Sequence, residues 1–316
     1  MANKLSISVV VPVSERVDDV ADLYGNYKQQ VAKVSTSFEF IYVLDGPFPE
    51  AAETLRKMRL SGEPIVLVQL AKWFGEATAI TAGFDLAQGE IVMTLPAYYQ
   101  IETAVIPKLI DSLADADVAV TARSRSGDSV IRRAQGWVFN RLVSWLTSQS
   151  FHDLGCSARA LKRVVISELN VYGDQHRFLP ILASQLGYRV VEVEAEQDSR
   201  DIGRRFYSPG IYVRRLLDIV TVFFVTKFTK KPLRFFGLIG STITGVGAIV
   251  VSVLVVQRLF GDTALAERPA LILGSLLIVL GIQLLAIGLI GELIIFTHAH
   301  HIKEYQVEQT INMTDD

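Results

Sequence analysis

The stretch SISVVVPV, residues 6–13, is a run of β-branched residues that ends near Pro12. Such residues favour strands, and a continuous apolar run of this length predicts a strand that is buried on both faces. Four more runs have the same character: FEFIYVLDG (38–46), PIVLVQLA (64–71), IVMTLP (91–96) and VAVTAR (118–123). Helix-length segments separate the five runs, at 15–35, 49–60, 74–87 and 102–115. This alternation predicts an α/β domain with a mostly parallel sheet that is covered by helices on both faces.

The carboxyl ends of the predicted strands indicate where a ligand would bind, because ligands of open parallel sheets bind beyond these ends. The residues at the five ends are Pro12-Val13-Ser14-Glu15, Asp45-Gly46-Pro47, Lys72-Trp73, Pro96-Ala97-Tyr98 and Arg123. Asp45 could accept a hydrogen bond from a base or a ribose while Gly46 lets the backbone approach, but an Asp-Gly pair is also an ordinary turn. Lys72 could face a phosphate or could simply be solvated.

The chain becomes rich in arginine between about residue 118 and residue 210, where a further helix and strand are also expected. Arginine can bind a phosphate through two parallel hydrogen bonds, so this segment offers candidates for anion recognition. A solvated basic surface is the alternative. The candidates are Arg123, Arg125, Arg159, Arg177, Arg200, Arg204 and Arg205.

Two long apolar runs follow, at 235–256 and 270–296; the first carries no charged residue and the second only Glu292. A hydrocarbon core about 30 Å thick needs roughly 20 helical residues, so the runs predict a two-helix transmembrane hairpin. Cations are concentrated before the first run, at Lys227, Lys230, Lys231 and Arg234, whereas the connector has Arg258 and Arg268. The positive-inside rule therefore places the N-terminal domain and the C-terminal tail in the cytoplasm.

These features predict four parts of the chain. Residues 1–207 form a cytoplasmic domain, 208–234 form amphipathic helices in the membrane interface, 235–297 hold the two transmembrane helices and 298–316 form a cytoplasmic tail. The expected location is the inner (plasma) membrane of a cell. Glycines in the first apolar run would permit close helix packing, and a homo-oligomer is expected.

Composition excludes two classes of protein. The formal net charge of −2 gives no basis for bulk nucleic-acid binding. The single cysteine, Cys156, rules out an internal disulfide framework and fits a reducing compartment.

Short motifs at the strand ends match a known pattern. Pro12 and Glu15 stand in the places of P-x-Y-N-E, Asp45-Gly46 match the end of V-D-D-G-S, and residues 72–76 correspond to R-N-F-G-K. With the apolar runs, these motifs make the chain resemble the family 2, GT-A fold glycosyltransferases that act on polyisoprenyl phosphates. The resemblance implies a Rossmann-like GT-A domain that moves a sugar from a UDP- or GDP-sugar to a polyprenyl phosphate at the cytoplasmic membrane face. Members of this family use Mg²⁺ or Mn²⁺.

The resemblance also assigns roles to the candidate residues. Those expected to bind the nucleotide sugar are Pro12, Glu15, Asp45, Gly46, Lys72, Pro96, Tyr98, Tyr99 and Gln100. Those expected to act in catalysis are Arg123, Arg125 and Arg200. Those expected to hold the acceptor phosphate are Arg159, Arg177, Arg204 and Arg205.

One motif departs from the family pattern. Residues 96–100 read Pro-Ala-Tyr-Tyr-Gln where the family has D-A-D-L-Q, so the two metal-binding aspartates are replaced by Pro96 and Tyr98. A hard divalent cation prefers carboxylate oxygens, and neither residue supplies one. The expectation is therefore an atypical, metal-independent site in which positive side chains offset the charge of the diphosphate, although retained use of Mg²⁺ or Mn²⁺ is an alternative.

The same departure allows a second interpretation. A catalytically inactive relative, serving as a membrane scaffold or regulatory protein on the same fold, would also lack the two carboxylates, because fold alone does not fix function. The arginines that could hold phosphates and the interfacial segment at 208–234 favour the active transferase.

Overall fold

The computed structural model describes residues 6–124, 151, 153, 155–168, 179–201, 232–260 and 269–298. The chain divides into two compact units, residues 1–222 and 223–316, and each is described by itself.

Strands and helices alternate along the described part of the first unit. The strands are β1 (Ile7–Val13), β2 (Phe38–Leu44), β3 (Ile65–Gln69), β4 (Ile91–Thr94), β5 (Val118–Ser124), β6 (Arg159–Lys162) and β7 (Val190–Glu196). The α-helices are α1 (Val20–Val31), α2 (Pro49–Leu60), α3 (Glu76–Leu86), α4 (Ile106–Asp111), α5 (Arg163–Glu168) and α6 (Leu179–Gln185). Short 3-10 turns at Thr103–Val105 and Ser112–Ala114 flank α4.

The seven described strands form one sheet in the order β3-β2-β1-β4-β6-β5-β7. β6 is antiparallel to both of its neighbours, and the other strand pairs are parallel. The mostly parallel α/β sheet predicted from the sequence is thus confirmed. Because β6 reverses direction between β4 and β5, β5 again runs parallel to β1 and β4. The carboxyl ends of these three strands therefore meet at one edge of the sheet.

Pro12 is accommodated in a central strand because the pairing on one side of β1 ends before it. β4 pairs with β1 from Ile7 to Val10, and the carbonyl of Val10 accepts the last bond, from the N–H of Leu95, at 3.0 Å. The carbonyl of Val13 points to the β2 side, where it accepts a hydrogen bond from the N–H of Asp45 at 2.8 Å. Alternation along a parallel strand then points the nitrogen of Pro12 to the β4 side, where no bond is required.

Side chains of β1 alternate between two buried layers. Val9 and Val11 belong to the cluster that includes α1, whereas Val10 packs on the opposite face with Ala79 of α3. Gly83 lets α3 lie close to the sheet, because a Cβ atom there would come within 2.3 Å of a methyl group of Val10. The sheet is covered on both faces, as the apolar strand runs predict.

The described part of the second unit consists of two long helices, α7 (Pro232–Phe260) and α8 (Pro269–His298). Each contains a stretch of 29 residues that is long and apolar enough to cross a membrane, and within these stretches an 18-residue window has a mean hydropathy of 2.2 in α7 and 2.6 in α8. At 1.5 Å per residue each stretch is about 43 Å long, which exceeds a hydrocarbon core of about 30 Å. The interfacial helices predicted at 208–234 fall almost wholly outside the described residues, as does the tail.

The two helices of the second unit approach each other at glycines. A Cβ atom on Gly240 would lie 2.6 Å from the carbonyl oxygen of Gly281, and one on Gly247 would lie 2.7 Å from that of Gly274. Glu292 of α8 accepts a hydrogen bond at 3.4 Å from the N–H of Leu233, which is one of the N–H groups at the start of α7 that have no partner within the helix. Close backbone contact and a carboxylate at a helix N-terminus thus join α7 and α8.

Candidate active site at the carboxyl ends of the strands

The loop that carries the altered motif, residues 96–100, is held in place through its backbone. The carbonyl of Pro96 accepts the hydroxyl of Tyr27 at 2.9 Å, and the carbonyl of Ala97 accepts the N–H of Asp18 at 2.9 Å. The carboxylate of Asp18 in turn accepts the N–H of Tyr99 at 3.0 Å. The loop is therefore fixed to α1 and to the segment between β1 and α1.

An arginine lies over the ring of Tyr98. The guanidinium carbon of Arg16 is 4.5 Å from the ring centroid, within the range of a cation–π contact. Arg16 also forms ion pairs with Asp18 at 3.0 Å and with Asp201 at 2.9 Å. The segment after β1 and the segment after β7 thus meet above Tyr98.

Tyr99 has a similar neighbour. The guanidinium carbon of Arg200 is 3.4 Å from the centroid of its ring, and the Tyr99 hydroxyl donates to Asp22. Arg200 is half exposed and donates to Asp198 from Nε and Nη2, each at 3.0 Å. The predicted catalytic residue Arg200 therefore lies at this rim, with a carboxylate already paired to it.

Among the described residues that form the ion pairs over the two tyrosine rings, carboxylates outnumber arginines. Two arginines and four aspartates leave this cluster with a formal charge of −2. Its members are Arg16, Arg200, Asp18, Asp22, Asp198 and Asp201. As paired in the structure, this cluster does not supply net positive charge to a diphosphate.

Gln100 links the loop to the segment that precedes β6. Its side chain is buried, and its Oε1 atom accepts the N–H of Ser157 at 2.9 Å and the thiol of Cys156 at 3.2 Å. Its Nε2 atom donates to the hydroxyl of Tyr98 at 2.8 Å. Burial, followed by the nearby charge of Glu76, raises the pKa of Tyr98 to about 12, so this phenol stays protonated at neutral pH.

Arg123, at the end of β5, forms a buried ion pair with Asp153. Its Nε and Nη2 atoms donate to the two carboxylate oxygens at 2.6 and 3.2 Å, and the Asp153 side chain is only 2% exposed. Burial by itself opposes the charged form, but the bonds and the charge of Asp153 outweigh it, so the pKa of Arg123 is raised. The predicted catalytic arginine is present at the rim as half of a bidentate pair.

Two residues that are predicted to bind the nucleotide sugar lie at the end of β2. Asp45 is fully buried, and its two oxygens accept the N–H groups of Phe74 at 2.6 Å and of Gly75 at 2.8 Å. Gly46 has φ = 125°, a left-handed conformation that favours glycine. In the structure Asp45 fixes the loop before α3, and its contact with a base or ribose stays a prediction.

The other predicted residues differ in their exposure. Lys72 is exposed, lies 5.2 Å from the ring centroid of Phe74 and has no ion pair with any described residue. Glu15 is exposed, whereas Arg159 on β6 is buried and donates from Nε to the carbonyl of Cys156 at 3.2 Å. Four predicted arginines lie outside the described residues: Arg125, Arg177, Arg204 and Arg205.

A divalent metal does not fit the residues that are described at this rim. Positions 96 and 98 supply no carboxylate, and no group of three or more metal-ligating side chains occurs in the described part of the chain. The four aspartates near Tyr98 and Tyr99, Asp18, Asp22, Asp198 and Asp201, are already paired with Arg16 or Arg200. No chemical step is therefore assigned to a metal.

Sequence reasoning did not identify Arg16 or its partners Asp18 and Asp201. Arg16 directly follows the predicted ligand Glu15, so its place beyond β1 was a usable signal. The contact with Asp201 joins residues 185 positions apart, and no local pattern predicts it.

Comparisons with known proteins match the chain to a family model and to curated relatives. The family model described as glycosyl transferase family 2 matches residues 8–169. The chain is 31% identical to the undecaprenyl-phosphate 4-deoxy-4-formamido-L-arabinose transferase of Klebsiella pneumoniae (strain 342), over 91% of this chain and 88% of that protein.

Solved structures share the fold at low identity. Glucosyl-3-phosphoglycerate synthase from Mycobacterium tuberculosis, in complex with Mn²⁺, UDP and phosphoglyceric acid, has a TM-score of 0.54 at 13% identity, covering 70% of this chain and 78% of that one. The mannosyltransferase PcManGT from Pyrobaculum calidifontis, in complex with GDP-Man and Mn²⁺, has a TM-score of 0.52 at 16% identity, covering 71% of this chain and 64% of that one. The GT-A fold expected from the sequence motifs is confirmed.

Proposed function

The chain belongs to glycosyl transferase family 2, and we propose that it transfers a sugar from a UDP- or GDP-type nucleotide sugar to polyprenyl phosphate, or a related membrane lipid, at the cytoplasmic face of the inner membrane. The observation that carries the proposal is the extent of the similarity. A transferase named for undecaprenyl phosphate matches 91% of this chain, which is more than the nucleotide-binding domain alone could account for.

The proposed reaction needs little acid–base chemistry. An oxygen of the acceptor phosphate forms a bond to the anomeric carbon of the sugar, and the bond from that carbon to the diphosphate breaks, with its electron pair leaving on the diphosphate. The acceptor is already an anion, so no strong base has to remove a proton. The protein mainly has to position the two substrates and stabilise the leaving diphosphate.

We further propose that this site works without a divalent metal. Proline and tyrosine at positions 96 and 98 provide no ligand for a hard cation, so the charge of the diphosphate falls to protein groups. The groups proposed for this task are Lys72, Arg123, Arg125 and Arg200, with Arg159, Arg177, Arg204 and Arg205 facing the acceptor phosphate. The remaining predicted residues, Pro12, Glu15, Asp45, Gly46, Pro96, Tyr98, Tyr99 and Gln100, are proposed to surround the nucleotide sugar.

The membrane arrangement is proposed from the distribution of cations. The segment before α7 carries more lysine and arginine than the connector between the two apolar helices, which favours a cytoplasmic 1–207 domain, interfacial helices at 208–234, spans within 235–297 and a cytoplasmic tail. Homo-oligomerisation stays a prediction.

A transfer assay with the full-length protein in detergent tests the proposal. Labelled UDP- and GDP-sugars would be offered with undecaprenyl phosphate, in EDTA or in Mn²⁺, and undecaprenol would serve as the matched acceptor without a phosphate. We expect lipid-linked sugar from at least one donor, none on undecaprenol, and rates in EDTA within about twofold of those in Mn²⁺. Transfer that stops in EDTA and returns with Mn²⁺ would refute metal independence. No transfer and no donor hydrolysis across the panel would favour the inactive scaffold.

A further inference from the structure

The structure determines whether the Tyr98 hydroxyl donates or accepts its hydrogen bond to Gln100. The N–H of Ser157 can only donate, so the Gln100 atom that it meets at 2.9 Å must be the oxygen. The other end of the amide, 2.8 Å from the Tyr98 hydroxyl, is then the NH₂ group, which also can only donate. The phenolic oxygen of Tyr98 therefore accepts this bond, and its own proton is left for a different acceptor.

No described residue accepts that proton. The bond from Gln100 is the one hydrogen bond of the Tyr98 side chain to the described part of the chain, although carboxylates lie close enough to affect its pKa. The Tyr99 hydroxyl offers a contrast, since it donates to Asp22. A largely buried hydroxyl group whose proton makes no hydrogen bond is expected to bind a ligand that brings a hydrogen-bond acceptor.

The position of Tyr98 makes an anionic oxygen the expected acceptor. Tyr98 follows β4, which lies beside β1 at the centre of the sheet, where ligands of such folds bind. One face of its ring is covered by Arg16, and its hydroxyl is held by Gln100, so the side chain cannot readily turn away. Lys72, in contrast, follows the edge strand β3, which is three strand spacings or about 14 Å from β4.

We propose that the Tyr98 hydroxyl donates a hydrogen bond to a diphosphate oxygen of the nucleotide sugar and so takes over part of the work of a metal ion at this position. The inference rests on the proposed function, because it assumes that a nucleotide diphosphate binds at this rim. The bond strengthens as negative charge develops on the departing diphosphate, so Tyr98 acts as a catalytic residue. Its proton stays on the phenol throughout, and the transfer is otherwise unchanged.

Binding measurements on the full-length protein separate this role from a structural one. The probes are two matched pairs, UDP with uridine and GDP with guanosine, titrated in EDTA by calorimetry. The variant is Tyr98→Phe, which keeps the ring beneath Arg16 and removes only the hydroxyl. The control is Tyr24→Phe, which removes a phenol that donates to Glu63 at 2.6 Å, in the contact between α1 and the segment before β3.

We expect Tyr98→Phe to weaken binding of the preferred diphosphate about tenfold or more while leaving its nucleoside within twofold. Turnover should fall more in kcat than in 1/KM, and Tyr24→Phe should change neither. Unchanged diphosphate binding, or an equal loss for diphosphate and nucleoside, would overturn the inference. Retained nucleoside binding by the variant shows that it is folded. If the wild-type protein binds neither diphosphate, the proposed donor site itself is refuted and the inference falls with it.

Discussion

Replacing Asp45 by asparagine should loosen the loop before α3 and destabilise the first unit. Asp45 is fully buried, and each of its oxygens accepts one backbone N–H, from Phe74 at 2.6 Å and from Gly75 at 2.8 Å. Asparagine has the same shape but only one accepting oxygen, and its NH₂ group would face the second N–H. One charge-assisted bond is lost and one buried donor is left without a partner, at a cost of about 2–3 kcal/mol.

The matched control is Asp19→Asn. Asp19 also accepts two backbone N–H groups, from Ala21 and Asp22, but it is exposed and lies at the N-cap of α1. Asparagine is as good an N-cap as aspartate, so this variant should cost less than about 0.5 kcal/mol. The two substitutions make the same chemical change and differ in burial and backbone context.

Thermal unfolding in detergent and amide hydrogen exchange measure the difference. For a unit of this size, about 2–3 kcal/mol corresponds to a Tm lowered by roughly 5–10 °C in Asp45→Asn, against about 1 °C in Asp19→Asn. The amides of Phe74 and Gly75 should also exchange faster in Asp45→Asn alone. Equal Tm values for the two variants would show that Asp45 does not hold this loop and would refute the reasoning.

Three further outcomes follow from single contacts. Gly89→Ala should lower the free energy of unfolding by about 2 kcal/mol or more, because the added Cβ atom would lie 2.6 Å from the backbone nitrogen of Ser8. Its control, Gly25→Ala, lies in an exposed and open position of α1 and should instead raise the Tm slightly. Tyr42→Phe should be neutral or raise the Tm by a few degrees, since the buried Tyr42 hydroxyl has no hydrogen-bond partner in the described part of the chain, and a fall of 5 °C would contradict this. The free energy of unfolding should decline between about pH 10 and pH 12. Burial raises the pKa of Tyr98 to about 12, so as the pH rises the unfolded chain loses the phenol proton before the folded chain does. In Tm measurements over that range, Tyr98→Phe should therefore lose less stability than the wild-type protein.

The parts of the fold that local patterns determine were predictable. All five apolar runs are strands, and the further strand expected within the arginine-rich segment is β7. β6 was not predicted, because Arg159–Lys162 has only four residues, two of them cationic, and no alternating pattern. It forms a strand because β4 and β5 pair with it on both sides, which is a non-local cause.

The sequence predicted where the candidate site lies better than it predicted how the side chains of the site pair with one another. The ends of the strands place Tyr98, Arg123 and Asp45 at one rim because parallel strands share an edge, and the family resemblance is confirmed by the matches to known proteins. The pairings of these side chains were not predictable. Arg123 meets Asp153 and Arg16 meets Asp201 across chain segments whose contacts depend on the assembled sheet.

These pairings change how a metal-free site would have to work. Arginines were expected to replace the missing cation, but the described ones at the rim, Arg16, Arg123 and Arg200, each have a carboxylate partner. Using one of them for a diphosphate would mean separating an ion pair, and for Arg123 this would break a buried bidentate pair with Asp153. A neutral donor such as the Tyr98 hydroxyl requires no such separation. A tyrosine in the place of a metal ligand can therefore keep such a site usable by donating a hydrogen bond to the leaving group, while the paired arginines hold the surrounding segments together.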